Sequence, residues 1–392
     1  MDKNVIHNPI IRGYHPDPSI CRVGDDFYIV NSTFEYFPGV PIFHSKNLTK
    51  WERIGSCLTR NTQVPLKECL PSQGIFAPTL RYHSGTFYMI TTNVSSIGNF
   101  IVSTKDIRGE WSEPVCIDHE GIDPSLFFDD DGKAYYCGTG DDEKGKQSIV
   151  LVEIDVETGK ILSDKKYIRH GVTGGAWPEG PHIYKKDGYH YLMMAEGGTE
   201  YGHMETIFRS RDIWGPYESC PHNPILRNRH VLNRRITCTG HADLCEDQNG
   251  NWWMVCLGVR KFPHVLMHNL GRETFLAPVV WDENGWPVVN GDGVIREEIP
   301  ADLPAEVLSG EGSAGSFSDD FTSENLRMDW TFLRNPDFTH FNSGKGRLKI
   351  DGGSQTLNDF QPDFVGVRQS EFCIEAKTAV NAELKSESAK AG

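Results

Sequence analysis

Asp17-Pro18-Ser19-Ile20, Ala77-Pro78-Thr79-Leu80, Asp123-Pro124-Ser125-Leu126, Gly180-Pro181-His182-Ile183 and His241-Ala242-Asp243-Leu244 are five versions of one short phrase. Their second residues lie 60, 46, 57 and 61 positions apart. Each is followed by a glycine (Gly24, Gly85, Gly132, Gly188, Gly250) and then by an aromatic run such as Phe27-Tyr28-Ile29-Val30 or Trp252-Trp253-Met254-Val255. A strand, a glycine turn and a second strand recurring at that period predict the blades of a five-bladed β-propeller.

Working outward, the other apolar segments are short and rich in Val, Ile, Tyr, Phe and Trp, as strands require. Asp129–Gly132, Lys185–Gly188, Gln248–Gly250 and Glu283–Gly285 read as hairpin turns. Five units fill residues 10 to about 300, which predicts a propeller domain over 1–305. A Gly/Ser-rich linker over 306–316 follows. A further strand-rich segment over 317–392 carries Trp330, Phe332, Phe338 and Phe341. It is short for an independent all-β domain, and its end from 381 to 392 reads as frayed or cut short.

The composition narrows the partners. A formal charge of −15 argues against nucleic acid and anionic membranes and fits a neutral ligand. No run of 18 apolar residues predicts a membrane helix. Met1–His7 lacks the apolar core of a secretory signal, which predicts a cytoplasmic location. Ten cysteines without a Cys-x-x-Cys pair read as free thiols, several in buried strands, rather than as a disulfide framework or zinc site. Monomer and homo-oligomer both stay open.

In a propeller the innermost strands surround one axis, so equivalent positions of the repeats face one another. Asp17, Asp123 and Glu179 hold near-equivalent positions in repeats one, three and four. Singly, each reads as a turn or loop acid. Together they would crowd three like charges at one mouth, a cost that suits a catalytic task. Glycoside hydrolysis needs one ionised carboxyl to activate water and one protonated carboxyl to release the leaving oxygen. A third can raise the acid's pKa. Phe34, Phe37, Phe76 and Trp177 are candidates to stack on sugar faces, with blade packing as the alternative for each. His241 fills the slot in repeat five, as a structural residue, a hydrogen-bond partner or a contact for an axial cation. Arg272 could bind sugar hydroxyls, tune the carboxylates or pair with Glu273.

These residues resemble glycoside hydrolase family 43. The resemblance rests on Asn8-Pro9-Ile10, His15–Ile20, Ser32–Val40, Gly121–Phe127, Glu179-Gly180-Pro181-His182, Ala195-Glu196-Gly197-Gly198-Thr199, Thr239–Asp243 and Gly271–Phe275, in that order. It implies a five-bladed propeller that hydrolyses glycosides with inversion, followed from 317 by a β-sandwich that is incomplete here, with exposed strand edges and an open site beside it. It also implies Asp17 as general base, Asp123 as pKa modulator and Glu179 as general acid. Arg272, Phe34, Phe76 and Thr199 would contact substrate, and His241 would support the centre. No cofactor is required, and calcium on the axis near His241 is an option the resemblance leaves open. The implied activity is an exo-β-xylosidase on xylo-oligosaccharides. The alternatives are an α-L-arabinofuranosidase, or a bifunctional enzyme, on arabinoxylan fragments. A carbohydrate-binding propeller without catalysis, or a purely structural one, leaves the acid trio without a purpose. Gly74-Ile75-Phe76-Ala77-Pro78 carries phenylalanine where many of these relatives have tryptophan, which bears on the sugar preferred.

Overall fold

The computed structural model describes residues 4–172, 177–231, 234–265, 267–304 and 316–384. The linker lies almost wholly outside these, as do the last eight residues. Five four-stranded antiparallel sheets dominate, and in each the strand order follows the chain. Blade one is Ser19–Val23, Asp26–Val30, Gly39–Ser45 and Glu52–Leu58. Blade two runs from Thr79–His83 to Val115–Ile117, and blade three from Ser125–Phe128 to Lys166–Arg169. Blade four spans Glu179–Lys186 to Glu218–Ser219, and blade five Ile236–Glu246 to Pro287–Val289. The innermost strands of blades one, two, three, four and five touch in cyclic order, and that of blade five returns to blade one. This is the predicted closed propeller, with the five phrases on its axis.

Closure follows from the first residues. Asn4–His7 pairs antiparallel with Glu298–Ala301. The Asn8 side chain donates to the carbonyls of Leu276 and Arg296 and accepts from Leu276 N–H. The N-terminal segment is thereby stitched to blade five just before it enters blade one.

The core lies between blades. Phe37, Leu80, Phe87 and Phe100 fill the space between blades one and two, and Ile90, Ile101, Tyr136 and Val150 that between two and three. Tyr135, Leu151, Leu192 and Phe208 join three to four. Tyr191, Trp253, Phe275 and Phe27 belong to the cluster joining four, five and one. Phe100 is fully buried, and truncating such a ring to alanine costs about 3–5 kcal/mol. All ten cysteines are free; Cys116 and Cys373 are exposed, whereas Cys137 and Cys256 are buried in their strands.

On the axis a charged staple joins four blades. Asp243 of blade five, fully buried, takes two hydrogen bonds from the Arg81 guanidinium of blade two at 2.8 and 3.0 Å. It also accepts from Ser19 Oγ at 2.6 Å and Tyr184 Oη at 2.6 Å. Burial pushes the Asp243 carboxyl upward, but Arg81 and the hydroxyl donors outweigh it and hold the group ionised.

The C-terminal segment docks on the propeller. Trp330–Leu333 lies between Val365–Val367 and Tyr36–Phe37 of the propeller. Arg334 donates to the Cys69 carbonyl, and Asn335 donates to Val64 O at 3.0 Å and accepts from Leu66 N–H. The hairpin Phe341–Gly344 with Arg347–Ile350 forms a separate two-stranded sheet. Trp330–Leu333 is paired on both sides, whereas among the described residues Val365–Val367 and both strands of the hairpin keep one open edge each, as expected. Met328, Phe338 and Leu357 are exposed.

Candidate active site

Four of the five axial phrases share a backbone feature. Asp17, Asp123, Gly180 and His241 have φ of 53°, 55°, 56° and 48°. A left-handed conformation at a non-glycine residue costs about 1–3 kcal/mol and persists where surrounding structure enforces it. Here it turns the chain at the mouth of each innermost strand. At position 180 a Cβ would stand 3.0 Å from the His241 ring, a crowding that favours glycine. In blade four that slot is therefore occupied by glycine packed against His241, and the carboxyl stands one residue earlier, at Glu179.

Asp17 is 4% exposed. Its Oδ1 accepts from Arg272 at 2.8 Å and its Oδ2 from Ser32 Oγ at 2.5 Å. Burial alone would raise its pKa. The Arg272 charge, the nearby His241 ring and the Ser32 hydroxyl outweigh burial and hold it below the usual carboxylate range. Arg272 remains a cation against the pull of burial because it faces Asp17 and the Tyr14 hydroxyl. It pairs with Asp17 rather than its neighbour Glu273, whose carboxylate is gripped by Arg260 at 2.7 and 2.8 Å.

Glu179 lies at the opposite electrostatic extreme. Its Oε1 is buried and without a hydrogen-bond partner among the described residues. Burial, reinforced by the Asp17 charge and only partly offset by Arg272, pushes its pKa up to about 7. Asp123 is buried too, and burial, with Glu179 and Asp17 nearby, drives it upward against the opposing effect of His241. One funnel mouth thus holds an ionised carboxylate beside carboxyls biased toward the protonated form, the division that general base and general acid require.

The Phe34 ring lies under the Arg272 guanidinium at 5.2 Å and packs on Phe76 at 5.3 Å and Tyr14 at 5.9 Å. These rings form an apolar wall beside Asp17. Phe37 is fully buried and packs toward Phe338 at 6.0 Å, so it serves the interface with the C-terminal segment and not a sugar. Trp177, two residues before Glu179, is 59% exposed. Thr199 is exposed on the loop after Tyr189–Glu196.

Three neighbours escaped the reading of the sequence. The Tyr14 hydroxyl faces Arg272. His203 is buried with its ring against Gly240, its Nδ1 at 3.0 Å from Cys238 O, and is held neutral by burial. Glu205, fully buried, accepts from Ala242 N–H at 3.2 Å and supports the His241 turn. Tyr14 directly precedes a phrase that was noticed, His15-Pro16-Asp17; nothing local marks His203 or Glu205.

Among the described residues, no group of three or more His, Cys, Asp or Glu side chains is gathered in metal-binding geometry. Calcium asks for about six to eight oxygen ligands. Around His241 the Asp17 carboxylate is engaged by Arg272 and Ser32, and that of Asp243 by Arg81, Ser19 and Tyr184. Those two carboxylates are thus already occupied by protein donors.

Comparison with known proteins agrees with this architecture. Residues 6–287 match the model for glycosyl hydrolases family 43, and residues 318–392 that for the beta xylosidase C-terminal concanavalin A-like domain. The chain is 46% identical to the non-reducing end alpha-L-arabinofuranosidase BoGH43B of Bacteroides ovatus, covering 100% of itself and 74% of that protein. It is also 46% identical to a xylosidase/arabinosidase of Butyrivibrio fibrisolvens, over 95% of itself and 74% of the relative. A crystal structure of xylan beta-1,4-xylosidase from Bacillus halodurans superposes with a TM-score of 0.87 at 38% identity, over 94% of this chain and 72% of that one. With the closed five-bladed ring, the acidic funnel and these matches in agreement, the chain belongs to glycoside hydrolase family 43 and is a glycosidase.

Proposed function

We propose that this glycosidase releases xylose with inversion from the non-reducing ends of β-1,4-xylo-oligosaccharides. The observation that carries the reading is the opposite bias of Asp17 and Glu179 within one funnel mouth. Asp17, ionised and oriented by Arg272 and Ser32, takes a proton from the attacking water. Glu179, protonated through burial and the Asp17 charge, gives its proton to the leaving oxygen as the glycosidic bond breaks. Asp123, buried beside Glu179 and raised by its charge, is the modulating partner of the pair, so that the two carboxyls resist ionising together. Arg272 meets the sugar hydroxyls, and Phe34 and Phe76 line the sugar's apolar face.

A second reading, release of α-L-arabinofuranose from arabinoxylan side chains, is favoured by the name of the Bacteroides relative and by Phe76. Phenylalanine offers a smaller platform than tryptophan and no indole N–H.

The test is hydrolysis of 4-nitrophenyl β-D-xylopyranoside beside 4-nitrophenyl α-L-arabinofuranoside. The xyloside is expected to react faster, with the α-anomer of xylose appearing first by NMR. Phe76→Trp is expected to widen the ratio toward xyloside. Asp17→Ala is expected to lose at least about a thousandfold in rate with an unchanged circular dichroism spectrum. Retained turnover in Asp17→Ala would remove the assignment of the base, and a faster arabinoside would promote the second reading.

A further inference from the structure

The C-terminal segment reaches the seam where the propeller closes, beside the pocket. Arg368 Nη1 donates to the Tyr14 carbonyl and lies 3.2 Å from His15 Nδ1. Its guanidinium stands 5.9 Å from the Tyr14 ring and 5.8 Å from that of Tyr36. Beyond it, Gln369 presses on Gly13, where a Cβ would stand 2.5 Å from the Gln369 carbonyl oxygen. With φ of +80° as well, position 13 suits glycine alone. Ser370 O accepts from Arg260 at 3.3 Å, and Glu371 pairs with Arg12. Phe372 packs on Phe262 at 4.8 Å, with the Arg235 and Arg260 guanidinium groups each 5.3 Å from its ring. Residues 368–372 therefore form a strap across both sides of the seam, touching the lead into blade one and the second strand of blade five.

What lies beneath the strap is the arginine of the site. His15 N–H donates to the Arg272 carbonyl at 2.9 Å. The Tyr14 ring fits against Gly271, where a Cβ would be 2.5 Å from it, and its hydroxyl faces the Arg272 side chain. Arg272 then reaches Asp17 at 2.8 Å. Arg368 thus holds the Tyr14–His15 dipeptide, which meets Arg272 through both backbone and side chain and begins three residues before Asp17.

We propose that Arg368 is a positioning residue for glycoside hydrolysis, acting through Tyr14 and His15 to set Arg272 against Asp17. It touches neither sugar nor reacting atoms. The proposal rests on the assignment of Asp17 as base, so the unaltered 392-residue chain is assayed first. A chain that neither hydrolyses nor binds the xyloside overturns that assignment and this one with it.

With an active parent, Arg368→Ala, Arg368→Lys, Tyr14→Phe and the Arg368→Ala/Tyr14→Phe double variant are compared by kcat and KM per folded molecule. Arg368→Ala is expected to lower kcat/KM about tenfold, mostly in kcat, as misplaced catalytic groups do. Arg368→Lys, which can still donate to the Tyr14 carbonyl, is expected to recover at least about half of the loss on a logarithmic scale. In the double variant the two losses should fail to multiply, ending within about twofold of the worse single change. Multiplying losses, or an Arg368→Ala enzyme within about twofold of the parent whose only defect is a lower melting temperature, would overturn the proposal. Should Arg368→Ala not fold, Glu371→Gln loosens the outer end of the strap. It is then expected to reduce kcat about twofold or more in the parent and not in Tyr14→Phe, and no change in the parent would be the refuting result.

Discussion

The sharpest prediction concerns the proton on Glu179, and the perturbation is the leaving group. Burial, aided by Asp17 and opposed by Arg272, lifts this carboxyl from 4.5 to about 7, about 3 kcal/mol in favour of the protonated form. At pH 6 about nine in ten molecules then carry the proton, against about three in a hundred without the lift, so the environment supplies about thirtyfold more acid. The assay is kcat/KM from about pH 4 to 9, which reports the free enzyme's acid and base. Two substrates are compared, xylobiose and 2,4-dinitrophenyl β-xyloside. Xylobiose expels its second xylose as a poor alkoxide leaving group that needs the proton, so its rate should fall about tenfold per pH unit above about 7. Dinitrophenolate needs none, and its profile should stay flat there. Glu179→Gln should lose about a thousandfold on xylobiose and no more than about tenfold on the dinitrophenyl substrate. The reasoning is refuted if both substrates show the same alkaline limb, or if Glu179→Gln loses equally on both.

Two further outcomes concern stability. Arg81→Met strands the buried Asp243 carboxylate and should cost about 3–5 kcal/mol by urea unfolding, with partial recovery in Arg81→Met/Asp243→Leu; a loss below about 1 kcal/mol would count against the axial staple. Because Glu179 and Asp123 have raised pKa values, the folded chain holds protons that the unfolded chain releases, and stability should fall as pH rises from about 4.5 to about 7. The lowered Asp17 and Asp243 act in the opposite sense, contributing above their ordinary range near 3.8 and losing that contribution on acidification. Glu179→Gln should therefore show a shallower decline between pH 5 and 8 than the parent, and parallel curves would refute the assignment of its proton.

Much of the site was legible because it repeats. A propeller writes its axis into the chain as a recurring phrase, and the alternation of strand and turn is local. Asp17, Asp123 and Glu179 could be aligned without coordinates, and the off-register position of Glu179 was visible as a departure from the phrase. Phe37 misled because an aromatic near a motif looks the same whether its ring faces a pocket or a packed neighbour. Tyr14, His203 and Glu205 were hidden because each acts on a partner far away in sequence, through contacts created only when the ring closes.

The alternation of strand and turn and the place of each acid within its phrase were thus determined by residues within about ten positions of one another, where backbone preference and side-chain period decide. Which carboxyl is ionised and which holds a proton was decided by the tertiary structure, since it depends on burial and on Arg272, which is 255 positions from Asp17. The packing of the 368–372 strap over the Tyr14–Arg272 contact belongs to the same class. Electrostatic and packing energies follow distance in space, and distance in space is set only when blade five meets blade one and the C-terminal segment covers the join.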